Sequence, residues 1–373
     1  MIYLDNAATT PVKPEALQAA WPWLTSEFGN PSSQHELGFR AKEALADARA
    51  RVAKFLNAKN SEVIFTSGGT ESDNLGIVGL ALAKPRGKHI VSARTEHEAV
   101  LQSLEFLQRV HGFRISWLPL DEFGQISGLQ SALRDDTTLV TLMVANNEIG
   151  TLHSIAELSA IAHASGALFH TDAVQAVGWV ELDVAALGVD ALSISGHKFG
   201  APKGSGVLYL RGRTAAEPLI HGGGQESGLR SGTENVAWAV ALATALELLP
   251  SAKAEAQRVA KLRDEFIRGV LHEVPKAVLT GHPTNRLPNI ASFCFAGVSG
   301  EALLLELERR GVIVSSGSAC AAGSDEPSHV LTAIGLDAAL AQTAVRFSFA
   351  HDTTKEDLDI AVSALAEAYA ALN

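Results

Sequence analysis

Residues 314–331, VSSGSACAAGSDEPSHVL, set one of two cysteines, Cys320, in a run of Ser, Gly and Ala. Residues with so little to bury read as a solvent-reachable loop, in which a thiol is either incidental or reactive. Other groups of catalytic type follow apolar runs. EVIFTS leads into GGTESDN, where Gly68 and Gly69 let backbone approach an anion, Thr70 offers a hydroxyl and a following helix adds partial positive charge. Such a turn is either a phosphate cradle or merely tight. ALFHTD ends at Asp172 with Gln175 one turn on, and DALSIS runs into GHK, delivering Ser195, His197 and Lys198. Taken singly, Asp172 reads as a helix cap and Lys198 as a solvated charge. Together with a phosphate cradle, a lysine able to form a Schiff base and a carboxylate able to pair with a pyridine nitrogen are what pyridoxal phosphate requires. His97, just after VSARTE, caps a helix or stands over such a ring as an acid or base.

The elements that position these groups alternate in type. β-rich runs at 62–67, 88–93, 113–120, 138–145, 167–172, 190–195 and 206–211 are separated mostly by amphipathic helical patterns. That order predicts an α/β fold on a mainly parallel seven-stranded sheet, with ligands gathered beyond the carboxyl ends of its strands. Too few residues separate the last two runs for a helical crossover, so the seventh strand returns antiparallel. A long helical pattern from about Thr233 to His272 follows. Beyond it, RLPNIASFCFAG, GEALLLELERRG and VIVSS indicate a smaller α+β layer. The expected division is a large cofactor-binding domain, 1–264, with an N-terminal segment contributing to the small one, and a small domain, 265–373, carrying the Cys320 loop.

Composition narrows the function. Of 373 residues, 47% are hydrophobic, enough for a large core. Thirty basic against 41 acidic side chains give a net charge of -11, which argues against nucleic acid or anionic membrane as the main partner. No apolar stretch reaches the roughly 18 residues of a membrane helix. Two cysteines make no disulfide framework, and Asp5 interrupts any signal-like start, so the expected compartment is the reducing cytoplasm. Cys294, among apolar β-formers, is expected to be a buried, inert thiol. The histidines lack further ligands at metal spacing, so no metal site is expected.

YLDNAATTP, FGNPSSQH, SGGTESDN, TEHEAVL, NNEIG, HTDAVQAVG, SGHK, HGGGQESGLRSGT, SSGSAC and RFSF, in this order, resemble the cysteine desulfurases of the iron–sulfur-assembly and nitrogen-fixation type. The resemblance spans residues 3 to about 349. It implies the fold type I of pyridoxal-phosphate transferases, within the class V aminotransferases. It also implies conversion of L-cysteine to L-alanine with sulfur passed to Cys320 as a persulfide, then to an acceptor protein, in a homodimer. By motif, Lys198 would carry the cofactor, Asp172 pair with the ring nitrogen, Gln175 bond the ring hydroxyl and His97 stack on the ring. Gly69, Thr70, Ser195 and His197 resemble the phosphate site, which Thr233 would reach from the other subunit. Asn147 and Arg346 resemble residues near the ring and the substrate carboxylate, with Asn30 a further substrate candidate. A guanidinium fork matches a carboxylate bidentately, so Arg346 has a rationale of its own. Selenocysteine lyase and transaminase activities on the same fold remain alternatives.

Overall fold

The computed structural model describes residues 1–317 and 326–373; Cys320 lies outside them. Its strands are, in chain order, β1 Ile2–Tyr3, β2 Val63–Thr66, β3 His89–Ser92, β4 Arg114–Trp117, β5 Thr137–Thr141, β6 Leu168–Asp172, β7 Ala191–Ser195, β8 Gly206–Leu210, β9 Ala277–Leu279, β10 Ile290–Phe295, β11 Val312–Ile313 and β12 Ala344–Ser348. The seven runs expected from the sequence are β2 to β8. They form one sheet in the order β2-β8-β7-β6-β5-β3-β4. Neighbours from β7 through β4 run parallel, while β8 is antiparallel to both β7 and β2, as the short connection requires. β5, β7 and β8 are buried at every position, because helices cover both faces of the sheet.

A second sheet, β12-β10-β9, is antiparallel, and the pair β1-β11 joins the chain's first residues to this region. Phe266, Phe293, Phe347 and Phe349 interlock at its centre with ring centroids 5.0 to 6.4 Å apart. Each buried ring contributes on the order of 1.5–3 kcal/mol.

The helical pattern expected to run unbroken from Thr233 to His272 is two helices, Val236–Glu247 and Ala252–Glu273, bent by 70°. Pro250 sits in the break, where it has no N–H to continue the ladder. Residue 264 falls inside the second helix, whose Val259, Phe266, Ile267 and Val270 pack into the core of the smaller sheet.

Candidate active site

β6 and β7 are neighbours in register, Asp172 opposite Ser193, so their carboxyl ends open side by side. A cavity of about 580 Å³ begins there. Of the residues expected from the sequence it is walled by Gly69, Thr70, His97, Asn147, Asp172, Gln175, Ser195, His197, Lys198 and Arg346. Two others stand apart in this chain. Thr233 is exposed, and Asn30 is exposed with its Oδ1 accepting from Ser32 N at 2.9 Å.

One end of the cavity is an anion cradle. The helix beginning at Gly69 continues in right-handed backbone through a widened turn, Leu75–Gly79, to Ala83, and its N-terminus has no side-chain cap. A Cβ built on Gly69 would come within 2.9 Å of Val174 Cγ2 and 3.3 Å of Ser195 Cβ. Glycine therefore leaves room for a group to approach the first-turn amides, with Thr70, Ser195 and His197 around it. Burial, then the charges of Lys198 and Lys203, pull the His197 ring down to about 4, so it meets an anion as a neutral hydrogen-bonding ring. Its Nδ1 lies 3.2 Å from Thr9 Oγ1.

Residues 5–10 pass between the two sheets and fix the functional side chains. Lys198 Nζ donates to the carbonyls of Ala7 (2.6 Å) and Ala8 (2.9 Å). Gln175 Nε2 donates to Ala7 O at 2.9 Å. The segment is held in turn by β12, with Asn6 Nδ2 donating to Ser348 O at 2.9 Å and Ala7 N to Ser348 Oγ at 2.8 Å. Arg346, also on β12, is almost wholly buried; its Nη1 donates to Asn147 O at 2.9 Å and its Nη2 contacts Asp5 Oδ1 at 2.8 Å. Nε has no hydrogen-bond partner among the described residues.

His97 takes the helix-capping role considered for it and stands in the cavity wall. Its Nδ1 accepts from Ala99 N at 3.1 Å, capping the helix Glu98–His111, while the ring walls the cavity. In the neutral ring this places the proton on Nε2. Asp172 is buried, with Oδ1 accepting from Val174 N at 2.8 Å. Burial raises its pKa, and His97, the Val174 amide and Lys198 oppose that rise. A lysine, a buried carboxylate and an uncapped helix end in one cavity fit pyridoxal phosphate: Lys198 would bond it, Asp172 face its nitrogen, and the cradle hold its phosphate.

Asp73, Glu148 and His329 also wall the cavity and were not singled out from the sequence. The signal for Asp73 was its place one turn after Thr70 in TESD. Cys294 is buried on β10, its thiol pushed up to about 12 chiefly by burial, as an inert core cysteine should be.

The family described as aminotransferase class-V matches residues 2–360 of the chain. The cysteine desulfurase IscS of Dictyoglomus turgidum is 49% identical over 368 residues, 98% of this chain and 93% of that protein. The cysteine desulfurase NifS of Azotobacter vinelandii is 46% identical over 362 residues, 96% of this chain and 90% of that protein. Among solved structures, a NifS-like protein superposes with a TM-score of 0.92 at 35% identity, covering 100% of both chains. SspA in complex with cysteine does so at 0.83 and 37% identity, covering 94% of this chain and 99% of that one.

Proposed function

The chain belongs to the aminotransferase class-V family and, within it, to the cysteine desulfurases; it is a pyridoxal-phosphate enzyme acting on cysteine, and we propose how its residues share that work. When bound, the cofactor supplies an electron-withdrawing ring that weakens the bond between the substrate's Cβ and sulfur. Lys198 would anchor it, exchanging the carbonyls of Ala7 and Ala8 for it. Asp172 would hold the proton of the ring nitrogen, Gln175 would steady the ring hydroxyl, and Gly69, Thr70, Ser195 and His197 would hold the phosphate. His97 presents a ring face and a proton on Nε2. Arg346 orients the substrate carboxylate, beside Asn147.

Cys320 is the sulfur acceptor in this reading. Its thiolate forms an S–S bond to the substrate's sulfur as the C–S bond breaks; that bond's electron pair stays with Cβ, the proton given up by the substrate's thiol ends on Cβ to complete L-alanine, and the sulfur stays on Cys320 as a persulfide. A segment of Ser, Gly and Ala suits a thiol that serves both the pocket and an outside acceptor. That acceptor is a protein of iron–sulfur or other thio-cofactor assembly, and the setting is the cytoplasm. The working unit is a homodimer. Trp21, Phe28 and Phe39 are 61%, 69% and 61% exposed, an apolar surface that a second copy would cover, and exposed Thr233 would then serve the other subunit's phosphate site.

The convergence of ten separately expected residues on one cavity carries this reading. Incubation with L-cysteine and a thiol reductant should release sulfide and alanine together in equal amounts, and Cys320→Ser should stop both. Alanine without sulfide, or neither product, would defeat it. If Cys320→Ser still released selenium from selenocysteine, the lyase alternative would gain; pyruvate from alanine would favour a transaminase.

A further inference from the structure

The cavity is bounded by more buried carboxyl groups than its chemistry uses. Asp73, on the helix after the cradle, is 1% exposed. Its carboxyl is hydrogen-bonded to Ser193, the residue directly across the β6–β7 ladder from Asp172. Partners in a parallel ladder, and residues two apart on one strand, project from the same face, so Ser193, Asp172 and His170 lie together beneath Asp73. His170 Nε2 is 3.7 Å from Asp73 Oδ1, beyond hydrogen-bonding distance, and 3.0 Å from Ser193 Oγ. Asp73 Oδ1 has no hydrogen-bond partner among the described residues. Glu96, next to His97 but outside the cavity wall, is also buried, 1% exposed, its Oε1 accepting from Met143 N at 2.9 Å.

Lys198, the cationic side chain beside these carboxyls, acts on Asp172. His170 supplies no charge, because burial pulls it down to about 3 and hydroxyls of Thr141 and Ser193 occupy its two nitrogens. An ionised carboxylate seeks several donors, and Asp73 has the single proton of Ser193.

We propose that Asp73 is a neutral, proton-bearing positioning residue for Asp172, leaving Asp172 as the ionised carboxyl opposite the ring nitrogen. Burial, with the neighbouring charges of Asp172 and Glu96 adding to it, holds the Asp73 proton on well above the ordinary carboxylate range. Burial raises the pKa of Glu96 as well.

The inference rests on the pyridoxal-phosphate reading, and Asp73→Asn tests it because an amide reproduces the shape and neutrality of the acid. In the full-length protein, Asp73→Asn should bind pyridoxal phosphate within about threefold of wild type and leave the mid-point pH of the bound cofactor's absorbance in place. Asp73→Ala should weaken binding about tenfold. A downward move of that mid-point by about one unit in Asp73→Asn, the response to a lost negative charge, would overturn the proposal. A second readout needs no cofactor. A carboxyl whose pKa is raised on folding destabilises the fold as pH climbs past its unfolded value, so Asp73→Asn should gain urea resistance over wild type between pH 4 and 7. A difference constant across that range would also overturn it. If borohydride traps no cofactor on wild-type Lys198, the cofactor reading fails and the urea series alone judges Asp73.

Discussion

The carboxylate of half-buried Asp5 lies across the guanidinium of buried Arg346, Oδ1 to Nη2 at 2.8 Å, at the group proposed to receive the substrate's carboxylate. Nη1 is already engaged by carbonyls of Asn147 and Gly317, so an incoming carboxylate must share Nη2 with Asp5 or take Nε. In the proposed function Asp5 is thus a resident competitor for the substrate's carboxylate. Asp5→Asn should lower KM for L-cysteine several-fold, at a stability cost of about 1–3 kcal/mol seen as a lower denaturant mid-point. Arg346→Lys, lacking the planar fork, should raise KM at least tenfold with kcat changed less. Equal KM values in wild type and Asp5→Asn would show that the two carboxylates do not compete.

Gly69→Ala isolates the cradle. Helix propensity favours alanine by about 0.5–1 kcal/mol, and Gly69 has no left-handed backbone to forbid it. The new methyl would meet Val174 and Ser195, a crowding that costs about 1–3 kcal/mol and narrows the approach to the helix end. Crowding wins. Fluorescence titration should show pyridoxal phosphate binding about tenfold more weakly, and unchanged binding would remove Gly69 from the phosphate site.

Thiol labelling separates the two cysteines. With its thiol pushed up to about 12, Cys294 holds almost no thiolate at pH 8. Brief treatment of the native protein with iodoacetamide should modify one site per chain, and Cys320→Ser should reduce that to none by mass spectrometry. Modification surviving in Cys320→Ser would mean Cys294 is reached.

Acid should destabilise the fold through buried rings. His153 is pulled from 6.5 to about 4 by burial, so between those values the unfolded chain binds a proton that the folded one does not. Stability contributed by the neutral ring is complete above pH 6.5 and is lost as pH falls toward 4, by up to about 1.4 kcal/mol per pH unit. His153→Gln should flatten the pH dependence of the urea mid-point across that window. An unchanged slope would contradict the assignment.

The large sheet was legible because each of its strands is a short apolar run bounded by turn residues, and strand ends announce themselves by the polar groups that follow. Asp172 and Lys198 were found that way. The bend at Pro250 was missed because helical patterns flank it on both sides, although the proline and the change from an apolar to a more polar helix both mark it. Asp73 was passed over because an aspartate early in a helix ordinarily faces water. Its burial depends on Ser193, more than a hundred positions away. The hold of residues 5–10 on Lys198 was equally hidden, since main-chain carbonyls leave no trace in side-chain identity.

That hold has a consequence for biosynthesis. Asn6 and its partner Ser348 are 342 positions apart. At about 5–20 residues per second, a ribosome makes the first roughly 20–70 s before the second. Until then the segment whose carbonyls seat Lys198 lacks its braces from β12, and Arg346 does not exist. The large sheet can assemble as a nascent unit, but a competent pocket appears only when the beginning and end of the polypeptide meet.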